Sequence, residues 1–168
     1  MSTLYLIRHA DAGSRSAWSG DDDLRPLSKK GRRQANGIAA RLADAGLTRL
    51  VSSPSTRCVE TLEPLGAALG LPVETDARLR EGSDGPAALA LAGELQALGD
   101  VAALCSHGDV IPDLLSELRI EGTTFHHQLT WPKASTWVLG GNGHHWTDAH
   151  HVPAPAKVPK EKSTDPGA

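Results

Sequence analysis

The chain has 168 residues, of which 39% are hydrophobic and 22% charged, and its formal net charge is −3 at pH 7. This length and composition are typical of a single globular domain with a sizeable core. The slight negative charge argues against nucleic acid or an anionic membrane as a partner, and the sequence shows neither the apolar run of about 20 residues that spans a bilayer nor a secretory signal pattern.

The first predicted strand is the apolar run Leu4–Ile7, which stops abruptly at Arg8 and His9. Residues 10–27 contain glycines, serines and three consecutive aspartates, and this composition predicts a long polar loop. Loops of this length inside compact domains are more often functional than idle. The start of the chain therefore predicts a strand that delivers an Arg-His pair next to a functional loop.

The remaining predicted elements alternate between helix and strand along the chain. They are a helix capped at Ser28 and Gly46, a strand at Leu50–Ser52, a helix over 55–69, a strand at Leu71–Glu74, a helix over 87–98, a strand at Val101–Cys105, a helix over 109–118, and a closing hairpin of Trp137–Leu139 with His145–Trp146 around Gly140–Gly143. The alternation predicts an α/β fold, a three-layer sandwich with a mainly parallel sheet and helices on both faces. We expect one domain over residues 1–151 and a disordered tail over 152–168, which has almost nothing apolar to bury.

Two cysteines, Cys58 and Cys105, fall inside predicted regular elements rather than in a disulfide framework. This use of cysteine is typical of proteins in a reducing compartment, where such residues pack as small buried hydrophobes. We therefore expect a cytoplasmic location.

Polar groups follow three of the predicted strands at the edge where parallel strands end, which is where α/β sheets bind ligands. These groups are Arg8 and His9, the segment Ser52–Arg57, and Ser106 with His107. A neutral histidine can attack phosphorus, and adjacent arginines can hold the phosphate in bidentate fashion. The pattern indicates phosphoryl transfer with His9 as the nucleophile and Arg8, Arg57 and His107 around the phosphate.

A leaving oxygen needs a proton, which a nearby carboxylic acid can supply. Glu81 follows the third predicted strand and is the candidate for this role. Arg15 and Arg25 lie in the long polar loop, outside any predicted helix face, and could line the same anion site. Glu81 is thus a third candidate catalytic residue beside His9 and His107, with Arg15 and Arg25 as further substrate-binding residues.

Four sequence elements in order resemble the histidine phosphatase superfamily, whose fold is like that of phosphoglycerate mutase. They are Arg8-His9-Ala10, the stretch Ser53-Pro54-Ser55-Thr56-Arg57-Cys58-Val59-Glu60-Thr61, Leu79-Arg80-Glu81, and Ser106-His107-Gly108. The resemblance covers about residues 3–140 and implies that His9 becomes a phosphohistidine, that Arg8, Arg57 and His107 form the phosphate pocket, and that Glu81 donates the proton. Ala10 replaces the usual glycine. An alanine is tolerated at this position if its φ is negative.

The compact length resembles the small phosphohistidine phosphatases that act on bacterial phosphorelay proteins. Two further regions are similar to the phosphatase half of bacterial Nudix/MutT-type nucleotide hydrolases; they are Asp11–Ser16 with Gly20–Asp22, and Ala134–Leu139. This second similarity implies a nucleoside phosphate as substrate, with Arg15, Arg25 and Trp18 as contacts. Trp18 could stack on a base or simply cover the edge of the core.

No metal or other cofactor is expected. The run Asp21–Asp23 lacks EF-hand spacing, and His126-His127 have no partner at zinc-site spacing. The pairs His144-His145 and His150-His151 could capture a transition metal only adventitiously. Arginines supply the positive charge that the expected chemistry needs.

The sequence thus predicts a metal-independent phosphatase that hydrolyses a phosphomonoester, a nucleoside phosphate or a phosphohistidine protein. Two alternatives remain open, a phosphoglycerate-type mutase and a non-catalytic phosphate-binding module. Mutases of this fold carry insertions around the substrate for which this chain has little room. The sequence gives no indication of oligomeric state.

Overall fold

The computed structural model describes residues 1–156. In this part of the chain, seven strands form one sheet: β1 (Ser2–Arg8), β2 (Arg49–Ser52), β3 (Val73–Thr75), β4 (Ala102–Ser106), β5 (Thr124–Phe125), β6 (Thr136–Gly141) and β7 (Trp146–Val152). Four α-helices accompany them: α1 (Lys29–Leu42), α2 (Thr56–Leu69), α3 (Gly85–Ala97) and α4 (Val110–Ile120). Three short 3₁₀ turns lie at Arg15–Ala17, Asp22–Leu24 and Ala77–Leu79.

The strand order is β3-β2-β4-β1-β6-β7-β5. The first four strands in this order are parallel, β6 is antiparallel to both β1 and β7, and β5 is parallel to β7. The α/β prediction is confirmed. One half of the sheet is parallel because a helix crosses over between successive strands there. The β6–β7 hairpin makes the sheet mixed because a short hairpin joins antiparallel strands.

The sheet separates two hydrophobic core clusters, so the molecule has three layers. Successive residues of β1 point to opposite faces. Leu6 packs in the cluster that holds Leu91 of α3 and the apolar face of α4. Ile7 packs in the cluster that holds Ile38 of α1 and Leu62 of α2. Burial on both faces explains why the central strands are almost wholly apolar.

Several predicted boundaries differ from the observed ones. Ser28 caps α1 as predicted, with its Oγ accepting from Gly31 N at 3.0 Å, but the helix ends at Leu42. Gly46 therefore lies in the following turn, at φ +72°. The two-residue strand β5 was not predicted, because two residues give no periodicity to recognise.

The hairpin turn is tighter and its strands are longer than predicted. β6 extends to Gly141, and the Asn142 side-chain oxygen accepts from the backbone N–H groups of His144 and His145. This arrangement is the local turn that asparagine side chains commonly form. β7 continues to Val152, the first residue of the expected tail, and Ala154 packs against the core. Residues 157–168 of the expected tail lie outside the described residues.

Both cysteines are free and buried, as expected. Among residues 1–156, no helix has the length and apolar character needed to cross a membrane.

Candidate active site

The carboxyl ends of β1 and β4 place the two predicted histidines side by side. Arg8 and Ser106 are paired in the parallel register, so His9 and His107 leave the sheet together. Their ring centroids are 5.5 Å apart and the ring planes meet at 63°. His9 N donates to Ser106 O at 3.0 Å, which fixes this edge at the backbone level.

His9 is held in the neutral form that a nucleophile requires. Its Nδ1 lies 2.8 Å from the Ala10 carbonyl oxygen; since a carbonyl only accepts, Nδ1 carries the proton and Nε2 keeps the lone pair. Burial, and then the positive charges of Arg57 and Arg8, lower the pKa of His9 to about 3. The imidazole is therefore neutral at neutral pH, with its one proton on Nδ1.

Ala10 and Thr61 hold the backbone next to His9. Ala10 N donates to Thr61 Oγ1 at 3.0 Å, and the same hydroxyl donates to Arg57 O at 2.7 Å. Ala10 is fully buried and its φ is not positive, so the methyl group in place of the family glycine is accommodated without backbone strain.

His107 is buried and has partners on both ring nitrogens. Its Nε2 lies 2.8 Å from Ser53 Oγ, and its Nδ1 lies 3.4 Å from Arg57 Nη2. A guanidinium only donates, so Nδ1 is the accepting nitrogen and Nε2 donates to the serine. These contacts fix the ring in one orientation beside His9.

Arg57 is fully buried at the start of α2. Its Nη1 donates to Asp22 O at 2.9 Å, and its Nη2 donates to Glu81 Oε2 at 3.1 Å. Its Nε has no partner among the described residues. A buried guanidinium with a spare donor is suited to bind an additional anion.

Arg8 ends β1 next to His9 and lines the pocket. Its Nη1 donates to Trp131 O at 2.9 Å, and its Nε is buried without a partner in the described part of the chain. Gly108 makes room for this side chain, because a Cβ there would stand 2.8 Å from the guanidinium carbon. A larger residue after His107 would therefore clash with the Arg8 side chain, which explains why this position is a glycine.

Glu81 reaches the site, as expected for the predicted proton donor. Its two carboxylate oxygens accept from Arg15 Nη2 at 2.7 Å and from Arg57 Nη2 at 3.1 Å. The loop that carries it is anchored by Asp109, whose Oδ2 accepts from Gly82 N at 2.7 Å. The structure therefore brings together Arg8, His9, Arg57, Glu81 and His107.

The two arginines predicted from the long polar loop take different positions. Arg15 is largely exposed and reaches over the site to Glu81. Arg25 is buried, and it donates to Ala12 O at 2.8 Å and to Asp22 Oδ1 at 2.9 Å. Both border the pocket, but most contacts of Arg25 brace the loop itself.

Trp18, named as a possible base-stacking residue, lies beside the site rather than in it. Its indole N–H donates to Asp21 O at 2.9 Å, and its ring lines a separate shallow groove with Pro26. The ring therefore lies outside the pocket, half-exposed in the loop, and is absent from both core clusters.

Four residues outside the predicted set belong to the site, namely Asp22, Trp131, Lys133 and Asp109, the last of which anchors the Glu81 loop. Asp22 approaches Arg57 Nη1 at 3.4 Å and Arg15 at 3.5 Å, and its hydrogen bond from Arg25 holds the pKa of Asp22 below the usual range. Trp131 and Lys133 enter from the β5–β6 loop, residues 126–135. The sequence gives no indication of where this loop lies relative to the other pocket residues, because its position depends on how β6 pairs with β1.

These side chains enclose a pocket of ≈ 490 Å³, lined by Arg8, His9, Gly13, Arg15, Arg25, Glu81, His107, Gly108, Asp109, Trp131 and Lys133. Basic side chains outnumber the two carboxylates, so the pocket favours an anion. A phosphate beside His9 would meet Arg8, which lines the pocket and whose Nε has no partner among the described residues, whereas Arg57 lies behind the pocket wall and contacts it through Glu81 and His107. The arrangement has the parts for nucleophilic phosphoryl transfer.

Comparison with known proteins agrees with this geometry. Residues 4–88 match the sequence model of the histidine phosphatase superfamily (branch 1). An 8-oxo-(d)GTP phosphatase of Mycolicibacterium smegmatis is 36% identical over 141 residues, covering 82% of this chain and 44% of the relative. A protein named "Probable phosphoglycerate mutase GpmB" in Yersinia enterocolitica is 36% identical over 86 residues, covering 48% and 38%. The chain spans less than half the length of these curated relatives.

The fold also matches solved structures. The protein histidine phosphatase SixA complexed with tungstate superposes with a TM-score of 0.72 at 22% identity, covering 91% of this chain and 97% of that protein. At this identity the likeness is one of fold.

Proposed function

The chain belongs to branch 1 of the histidine phosphatase superfamily, and from this premise we propose that it is a metal-independent phosphatase. It acts through a phosphohistidine formed on His9. The observation that carries the proposal is the state of this histidine, which is neutral, bonded through Nδ1 to Ala10 O, and placed with its other nitrogen toward the pocket.

In the first step His9 Nε2 attacks the phosphorus, so that a P–N bond forms as the P–O bond to the leaving group breaks. Arg8 and Arg57 bind the phosphate oxygens. His107 orients Arg57 by accepting a hydrogen bond from its Nη2. These groups stabilise charge on the transferring phosphoryl group and hold it in line with the nucleophile.

Glu81 supplies the proton to the leaving oxygen. In the free site its carboxylate is paired with Arg15 and Arg57, and a bound phosphate competes for the same guanidinium groups. Glu81 then carries a proton taken from solvent or from a monoanionic phosphate group, and it donates this proton to the leaving oxygen.

In the second step water attacks the phosphohistidine and breaks the P–N bond. The Glu81 carboxylate, deprotonated by the first step, accepts a proton from this water. Inorganic phosphate leaves, His9 is again neutral, and Glu81 releases its proton to solvent and pairs with Arg15 and Arg57 as before. Since the arginines provide the positive charge, the reaction needs no metal ion.

Among the candidate substrates we propose that nucleoside phosphates are preferred. The relative named for 8-oxo-(d)GTP aligns with 82% of this chain, and Trp131 is the aromatic residue of the pocket lining, which we propose as the stacking partner of the base. Lys133 and Arg15 border the same pocket and could bind further phosphate groups. Neither Trp131 nor Lys133 takes part in the proposed proton transfers.

The experiment is a substrate panel assayed with a metal chelator present. It compares kcat/KM for nucleoside mono-, di- and triphosphates, 8-oxo-dGTP, a phosphohistidine protein and sugar phosphates. We expect turnover in chelator with the highest kcat/KM on a nucleotide. Strict dependence on added metal would contradict the mechanism, phosphoryl transfer between phosphoglycerates would favour a mutase, and tight phosphate binding without turnover would favour a binding module.

The role of Glu81 predicts a dependence on the leaving group. Replacing it with glutamine should lower kcat/KM about 10²–10³-fold for alkyl phosphates and nucleoside monophosphates, whose alkoxide leaving groups depart poorly unless they are protonated. The loss should be far smaller for p-nitrophenyl phosphate, whose leaving group departs as a stable anion. Steady-state kinetics on both substrate types provides the measurement.

The matched control is Glu94→Gln, which removes an exposed carboxylate paired with Arg78 outside the pocket. It should leave both rates unchanged. An equal loss on both substrate types in Glu81→Gln would mean that Glu81 only orders the arginines.

A further inference from the structure

Three side chains with metal-binding chemistry lie together at the far edge of the sheet, outside the pocket. They are His126, Asp148 and His150, and one ligand atom from each lies within 4.8 Å of the others. In the chain, His126 is separated from the other two by strand β6 and its hairpin turn, so sequence spacing gave no indication of the cluster.

The backbone fixes these three positions. β5 pairs in parallel with β7, with Thr124 opposite Asp148 and Phe125 opposite Ala149. His126 continues this pairing, because its N–H donates to Ala149 O at 3.0 Å. Asp148 and His150 therefore project from strand β7, and His126 from the first loop residue after β5, which is hydrogen-bonded to β7.

The side chains are also arranged for a shared ligand. The rings of His126 and His150 are parallel within 5°, with centroids 4.2 Å apart. His150 Nε2 lies 3.3 Å from Asp148 Oδ1. One ligand atom of each side chain thus lies within reach of a common position, which the two imidazoles attain by rotating out of their parallel stack.

Asp148 is held in place by its neighbours. Thr147 Oγ1 donates to Asp148 Oδ2 at 3.1 Å. Gly140 on the adjacent strand provides the space, since a Cβ there would stand 2.8 Å from that same oxygen. Such support of a carboxylate by outer contacts is typical of metal ligands.

We propose that His126, Asp148 and His150 bind a divalent transition metal ion, with Zn²⁺ as the best match. Two imidazoles and one carboxylate are ligands that Zn²⁺ and its neighbours prefer, and water completes a tetrahedron. Tetrahedral ligand atoms lie about 3.4 Å apart, and rotation of the two exposed imidazoles closes the difference from the observed spacing.

A metal ion at this site would stabilise the conformation of the β5–β6 loop and would take no part in phosphoryl transfer. His126 begins this loop, which carries Trp131 and Lys133 to the pocket wall. None of the three ligands lines the pocket. A bound ion would tie the start of the loop to β7, and the proposed reaction would still proceed in chelator.

The test is calorimetric titration of the chelator-treated full chain with Zn²⁺ at neutral pH. We expect one ion per chain, and at least about tenfold weaker binding in His126→Ala, His150→Ala and Asp148→Asn, since even outer partners of metal ligands contribute this much. The matched control is His144→Ala, an exposed histidine in the hairpin turn, which should bind as the unmodified chain does.

Thermal unfolding gives a second measurement that does not depend on activity. Zn²⁺ should raise the Tm of the unmodified chain and of His144→Ala but not that of His126→Ala, because only a native site stabilises the folded state. Absence of binding, unchanged affinity in the three variants, or an equal loss in His144→Ala would each overturn the proposal.

Discussion

Replacing His9 with alanine is expected to lower kcat/KM by at least about 10⁴-fold, because the change removes the nucleophile rather than a binding contact. The bond from Nδ1 to Ala10 O disappears with the ring, while the arginines of the pocket remain. Phosphate should still bind as a competitive ligand in the variant. Steady-state kinetics on the best substrate of the panel and phosphate binding by calorimetry measure the two effects.

The control for His9→Ala is again His144→Ala, which removes an exposed imidazole far along the chain and should keep full activity. Folding is checked by the Tm of each variant. Residual turnover within about tenfold of the unmodified chain would mean that His9 is not the nucleophile, whatever else it contacts.

Replacing Arg57 with alanine is expected to lower kcat/KM by about 10²–10³-fold, the usual cost of losing one group that stabilises the transition state. The loss has two sources. A phosphate loses a guanidinium donor, and Glu81 and His107 lose the side chain that positions them. Kinetics and phosphate affinity measured on the same preparation should fall together.

Arg57→Lys keeps the charge and most of the buried volume, which guards against a loss caused by unfolding. A lysine cannot bridge Asp22, Glu81 and a phosphate at once, so most of the loss should persist. The matched control is Arg49→Lys, at an arginine paired with Glu74 and Asp100 away from the pocket. Full activity in Arg57→Lys would show that charge alone is needed there.

The core of this site could be predicted from the sequence because parallel strands end at one edge of a sheet. Arg8 with His9, and Ser106 with His107, follow β1 and β4, and these strands are neighbours in register. The position of Arg57 could also be predicted, because it lies in the first turn of the helix that follows β2. The order of the strands and helices along the chain is enough to bring these residues close together.

The remaining walls of the pocket depend on distances that order does not give. In the sequence, Asp22 is one member of a run of three aspartates that is typical of a solvated loop. In the structure, its carboxylate forms ion pairs with Arg25 and Arg57. Trp131 and Lys133 precede an antiparallel strand, and their approach to His9 depends on how β6 joins the sheet. Trp18 points into a neighbouring groove because the 3₁₀ turns redirect the loop.

The cluster at β5 and β7 was missed for a similar reason. β5 has two residues and pairs with the last strand of the described chain. Contacts of this kind become visible only when the sheet order is known, and His126 therefore had no evident partner.

The most direct measurement is rapid acid-free quenching of the enzyme during turnover of a substrate labelled in the transferred phosphate, followed by mass spectrometry of the peptides. The account predicts a phosphoramidate on His9 that is labile to acid, stable to alkali and missing from His9→Ala. Full turnover with no phosphorylated histidine, or with the phosphate on another residue, would contradict it.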